Sequence, residues 1–101
     1  MVPEPPIVRA VGALAGGSPV YRYRADVIAA LLRHGARPAS RTPPGLVHAF
    51  VSDLYRHELR RLRDRLRRKE FPRHEYAGRV VELRKRYAVI SMRPTEWVEP
   101  G

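Results

Sequence analysis

Between Thr42 and Tyr87 the chain carries apolar residues at helical spacing twice over, with one break at Phe71-Pro72. From Leu46 they run Val47, Phe50, Val51, Leu54, Tyr55, Leu59, Leu62 and Leu66, which share one broad face at 3.6 residues per turn. No Gly or Pro interrupts that run before Pro72, so it predicts a helix of roughly 40 Å at about 1.5 Å per residue. Thr42-Pro43 reads as its start: the hydroxyl can accept from first-turn amides, and Pro43 lacks a donor that would have been orphaned anyway. Pro72 reads as its end, because the residue before a proline is pushed away from helical angles. Tyr76, Val80, Leu83 and Tyr87 then recur at spacings of 4, 3 and 4, a second amphipathic seam in which Gly78 allows close backbone approach. So short a break predicts an antiparallel αα-hairpin with this seam facing Leu54 to Leu66.

The rest of the chain is subordinate to that hairpin. Residues 1–17 read as an extended, proline-rich arm and a loop, and 18–101 as a single small helical domain. Val27, Ile28, Leu31 and Leu32 form the stripe of a short first helix that starts between Ser18-Pro19 and Tyr23 and is capped by Gly35. Residues 36–41 are a connector, too long for the turn of a helix-turn-helix pair. At the C-terminus, 88–92 reads as an extended apolar arm available to pair with 7–11 as short strands. Pro94-Thr95-Glu96-Trp97 reads as one turn that lays the only tryptophan on the core as a packing latch. The fold class expected is therefore all-α.

Charge is the strongest compositional signal. Twenty basic residues, eighteen of them Arg, face ten acids, giving a net +10. The window from Arg56 to Arg73 alone holds nine bases against three acids. Asp64 and Glu58 can pair with neighbouring arginines, and basic residues near a helix C-terminus suit the macrodipole, but the remaining guanidinium groups have no intrahelical partner. Such an excess draws polyanions or acidic partners. Arg60, Arg61, Arg63, Arg67, Arg68, Lys69 and Arg73 are the candidate contacts, with Arg22 and Arg24 as outliers. Tyr21-Arg22-Tyr23-Arg24 interleaves aromatics with base, a pattern suited to stacking on exposed bases or, more simply, to helix-edge packing.

Catalytic and metal chemistry find little support. Cysteine is absent, which removes disulfides, thiolate catalysis and thiolate zinc sites and fits a reducing cytoplasm, the location expected. Asp53/His57 and Glu70/His74 have i, i+4 spacing but lack the Glu-x-x-His pattern of helical di-metal sites, and arginines surround them. No serine sits in a nucleophile motif, and Gly16-Gly17-Ser18 lacks the lysine of a phosphate loop. The proline-rich N-terminus has no basic n-region, and no apolar run approaches a membrane span. A membrane-surface helix is disfavoured because its apolar face is needed for the core.

The sequence thus predicts a non-catalytic, cofactor-free, metal-free protein that contacts nucleic-acid backbone without strong base preference. The alternative is an adaptor, small subunit or homodimer that docks an acidic partner through the basic hairpin tip and the apolar helix face.

Overall fold

The computed structural model describes residues 19–100, which contain three α-helices and no strand. Helix α1 spans Ala25–Arg33, α2 spans Pro44–Arg67 and α3 spans Tyr76–Arg86. Short 3-10 turns occupy Arg73–Glu75, Ala88–Ser91 and Pro94–Glu96. The all-α class and the antiparallel α2–α3 hairpin are as the periodicity predicts. The first helix starts at Ala25, two residues beyond the expected range, because residues 22–24 are held extended against 97–99; residue 18 and the 7–11 segment lie outside the described residues.

Helix α1 buries Val27 and Leu31 and stops where its sequence says it should. Gly35 adopts φ 76°, the amide of Ala36 donates to the Leu31 carbonyl at 3.0 Å and that of Gly35 to Leu32 at 3.0 Å. Those two bonds are the Schellman arrangement, in which a left-handed residue lets the last carbonyls find donors.

Helix α2 ends in the same way, and this corrects the expectation that Pro72 stops it. Lys69 stands at φ 59°, its amide donates to Leu66 at 2.9 Å and that of Glu70 to Arg65 at 3.0 Å. The helix is over five residues before the proline. A lysine in left-handed geometry carries a Cβ penalty of about 1 kcal/mol that glycine does not. Lys69→Gly is therefore expected to stabilise the fold by about 0.5–1 kcal/mol in urea unfolding, because Gly fits this cap position. A loss of stability would mean that the lysine side chain holds the turn.

The start of α2 also differs. Pro43 occupies the N-cap position with no side-chain cap, and the fully buried Thr42 hydroxyl instead accepts from the Ala39 amide at 3.0 Å. The Thr42 carbonyl accepts from the Tyr23 phenol. Thr42 therefore locks the 36–42 connector to the segment before α1 rather than capping α2. Gly78 is a further correction: it is exposed, and a Cβ there would meet nothing within 4 Å, so no close helix approach requires it.

The C-terminal segment is folded onto the core rather than extended over 88–92. Residues Ala88–Ser91 turn, so they do not form the strand expected to pair with 7–11. Among the described residues the extended pairing joins Tyr23 to Val98 as one antiparallel bridge, with Arg24 N–H donating to Trp97 O at 2.9 Å and Glu99 N–H to Arg22 O at 2.8 Å. Trp97 is fully buried, and its indole N–H donates to the Val89 carbonyl at 3.1 Å. His48 packs against it with ring centroids 5.2 Å apart. The His48 Nε2–H donates to Ile90 O at 2.9 Å, and Nδ1 lies 3.5 Å from the Ser52 hydroxyl.

The core gathers at one end of the molecule. Val27, Leu31, Ala36, Val47, Val51, Leu83, Tyr87, Val89 and Trp97 form one cluster. Buried Leu62 and Phe71 lie outside it, on the far half of the hairpin. Since α2 has 24 residues and runs about 36 Å, its second half projects as an arm. The overall extents of 52 × 25 × 20 Å express that.

At the base of the arm His34 stacks on Tyr87, ring centroids 4.1 Å apart and 18° from parallel. Burial holds His34 below the ordinary 6.5, against a hydrogen bond to the Arg86 backbone; Arg33 and Arg86 add repulsion. Burial, with Glu58 nearby, raises the Tyr87 phenol, while Arg86 acts the other way. The unfolded chain thus binds the His34 proton more readily than the folded one. Stability from this site is complete above about pH 6.5 and falls as the solution is acidified below it. His34→Phe, which keeps a ring on Tyr87, is expected to flatten that decline in urea midpoints between about pH 7.5 and about pH 5. An identical decline in the variant would place the titrating group elsewhere.

Candidate nucleic-acid interface

The arm has two flanks of different character, and the helical repeat of α2 creates them. At 100° per residue, Arg56, Arg60, Arg63 and Arg67 fall within about 60° of one another and form a ridge along one side. Beyond the end of α2 the turn carries Lys69 and Arg73 to the same side. Arg63, Arg67, Lys69 and Arg73 line one hollow of about 460 Å³ with Leu66 and Phe71, and no carboxylate belongs to its lining.

Phe71 is held in place by cations from both helices. The Arg79 guanidinium lies 4.2 Å from its ring centroid and that of Arg65 lies 5.6 Å away. Such contacts are worth about 0.5–1 kcal/mol each at exposed sites. They turn an aromatic that the sequence offers only as part of a helix break into the fixed floor of the basic hollow.

The opposite flank is largely neutralised. Glu70 accepts from Arg68 at 2.7 Å and from Arg65 at 3.2 Å. The Arg68 hydrogen bond, reinforced by that of Arg65, holds its carboxyl below the usual range despite an opposing desolvation effect. Arg61 pairs with Glu58 at 3.7 Å. Arg67 reaches Asp64 at 3.8 Å, a long and exposed contact that holds the guanidinium weakly. Arg60, Arg63, Lys69 and Arg73 have no carboxylate within ion-pair distance among the described residues.

The nine basic residues singled out by sequence therefore divide. Arg60, Arg63, Arg67, Lys69 and Arg73 come together on one flank. Arg61 and Arg68 face the other and are engaged with acids. Arg22 and Arg24 sit at the core end, where Arg24 is bonded through its backbone to Trp97 and through its side chain to Asp26 at 3.1 Å. Trp97 packs on His48, about 22 Å along the helix axis from Arg63, so these outliers do not join the ridge. Tyr23 is not free to stack on bases: its phenol, raised by burial, donates to Thr42.

The sequence presents Arg56, Leu66 and Phe71 only as the edge of the basic window, a helix-face residue and part of a helix break, and gives Arg79 no role. Arg56 was legible, since 56, 60, 63 and 67 repeat at spacings of 4, 3 and 4; it pairs with Asp53 at 2.8 Å and extends the ridge toward the core. Arg79 reaches Phe71 only through the folded hairpin. Among the described residues no three His, Asp or Glu side chains converge as metal ligands. No helix there is long and apolar enough to cross a membrane. The chain matches none of the protein-family models, curated proteins or solved structures with which it was compared.

Proposed function

We propose that this is a non-catalytic, cytoplasmic binding protein that holds the sugar-phosphate backbone of nucleic acid along the Arg60–Arg63–Arg67 ridge and the Lys69–Arg73 turn. The observation that carries this reading is the carboxylate-free hollow of four cations on an apolar floor at the end of a projecting arm. Guanidinium groups are permanently charged forks that match phosphate oxygens two at a time. The same groups neither take nor give a proton near neutral pH, which is why the reading is binding rather than catalysis.

Backbone contact without strong base preference follows from what accompanies the charge. Neither Asn nor Gln, the usual bidentate readers of adenine, occurs anywhere in the chain. The one aromatic in the hollow, Phe71, is buried and flanked by guanidinium groups, so its faces are not offered to bases.

The test is fluorescence anisotropy with labelled DNA and RNA of unrelated sequence. Comparable affinities for different sequences, falling steeply as salt rises, are expected. An absence of binding, or binding indifferent to salt, would overturn the proposal. Capture of one acidic protein through the same arginines, with no affinity for nucleic acid, would assign the ridge to a protein partner instead.

A further inference from the structure

The flank opposite the ridge carries a groove between α2 and α3. Glu58 and Arg86 line two adjoining hollows, one containing Leu62, Gly78 and Leu83 and the other His34, Leu54 and Tyr87. From Leu54 to Arg65 the groove follows α2 for about 16 Å, or about three turns. Its lining recurs every three or four residues on both helices, at 54, 58, 61 and 65 and at 79, 82 and 86. That is the ridge spacing into which a third helix packs. Leu62, Leu83 and Tyr87 lie at its floor, each already more than nine-tenths buried by the hairpin.

Two features point to the occupant. Gly78 lies within α3, where glycine costs about 1 kcal/mol relative to alanine, yet a Cβ there would meet nothing of this chain within 4 Å. No internal packing explains the glycine; it leaves space in the groove wall. The second feature is charge. Arg61, Arg65 and Arg79 already have carboxylate partners on their own side, whereas Arg33 and Arg86 have none within 4 Å among the described residues. We infer that this groove receives an acidic amphipathic helix of a partner protein, with apolar side chains over Leu62 and the aliphatic stems of the lining arginines and carboxylates on Arg33 and Arg86. A second copy of the chain is a poor occupant, because its net charge of +10 opposes self-association across a positive groove.

This site is independent of the ridge and is tested separately. The probe is a labelled helical peptide of about three heptads with Leu at the a and d positions and Glu and Ala elsewhere, titrated at about 0.15 M salt to screen long-range attraction. Gly78→Leu puts a side chain into the groove from a position whose Cβ meets nothing of this chain within 4 Å, and Arg86→Glu reverses an unpartnered charge. Each is expected to weaken peptide binding at least tenfold while circular dichroism stays unchanged. Arg63→Glu, on the other flank, is expected to leave peptide binding intact while weakening DNA binding, and DNA is expected not to displace the peptide. Failure of the wild-type protein to bind, equal affinity in Gly78→Leu, or an equal loss in Arg63→Glu would overturn the inference. A dimer in sedimentation that Gly78→Leu abolishes would overturn it in favour of a second copy.

Discussion

Trp97→Ala is expected to destabilise the protein by about 3–5 kcal/mol, the range for removing a large buried aromatic from a packed site. The indole is fully buried within the core cluster, packed on His48 of α2. Its N–H is the donor to Val89 O, so truncation both leaves a cavity and strips a buried carbonyl of its partner. The same residue accepts from Arg24 N–H and precedes the Tyr23–Val98 bridge, which ties the C-terminal segment to the entry of α1. At roughly 4–8 °C per kcal/mol for a domain of this size, the midpoint of thermal unfolding should fall by at least about 12 °C. Trp97→Phe keeps most of the volume and loses the hydrogen bond, so it should cost about 1–3 kcal/mol. Urea unfolding followed by circular dichroism checks both. A loss under about 1 kcal/mol for the alanine variant would mean that the C-terminal segment is not part of the core.

Periodicity made the hairpin legible because an amphipathic helix announces its buried face locally. The latch role of Trp97 was legible too, since a lone large apolar residue after a proline turn has few places to go but the core. What the sequence hid depends on partners far away in the chain. Thr42 looks like a cap and is instead claimed by Ala39 and Tyr23. Residues 88–92 look like a strand but turn, with His48 and Trp97 donating to the carbonyls of Ile90 and Val89. Pro72 looks like the terminator of α2, yet Lys69 ends the helix in a conformation that its residue type gives no reason to expect.

The charge was legible as an amount and only partly as an arrangement. The 100° step places Arg60, Arg63 and Arg67 together, and that much is readable. The neutralisation of Arg65 and Arg68 by Glu70 is not, because it runs through the left-handed turn at Lys69 rather than through an i, i+4 pair. The folded chain thereby separates a ridge open to ligands from a flank of arginines bound to acids.

On that arrangement rests the second large effect. The combined variant Arg63→Ala, Arg67→Ala, Arg73→Ala removes three of the five cations Arg60, Arg63, Arg67, Lys69 and Arg73 that share this flank. None has a short ion pair, the Arg67–Asp64 contact being 3.8 Å, so unfolding free energy should change by less than about 1 kcal/mol. Nucleic-acid affinity should fall by about 100-fold at low salt, taking about 1 kcal/mol for each lost phosphate contact, the typical net value of a hydrogen bond. Arg61→Ala, Arg68→Ala is the comparison: those groups are engaged with Glu58 and Glu70, and their loss should cost less than about tenfold. Equal losses in the two variants would mean that net charge, not the ridge, attracts the polyanion.

If Arg60, Arg63, Arg67, Lys69 and Arg73 contact phosphates directly, the salt dependence of binding counts those contacts. For duplex DNA the wild-type plot of log affinity against log salt should have a slope of about −4.5, at about 0.9 for each neutralised phosphate. The triple alanine variant should give about −1.8 on the same basis. A wild-type slope near zero, or the same slope in both proteins, would contradict the assignment of the ridge.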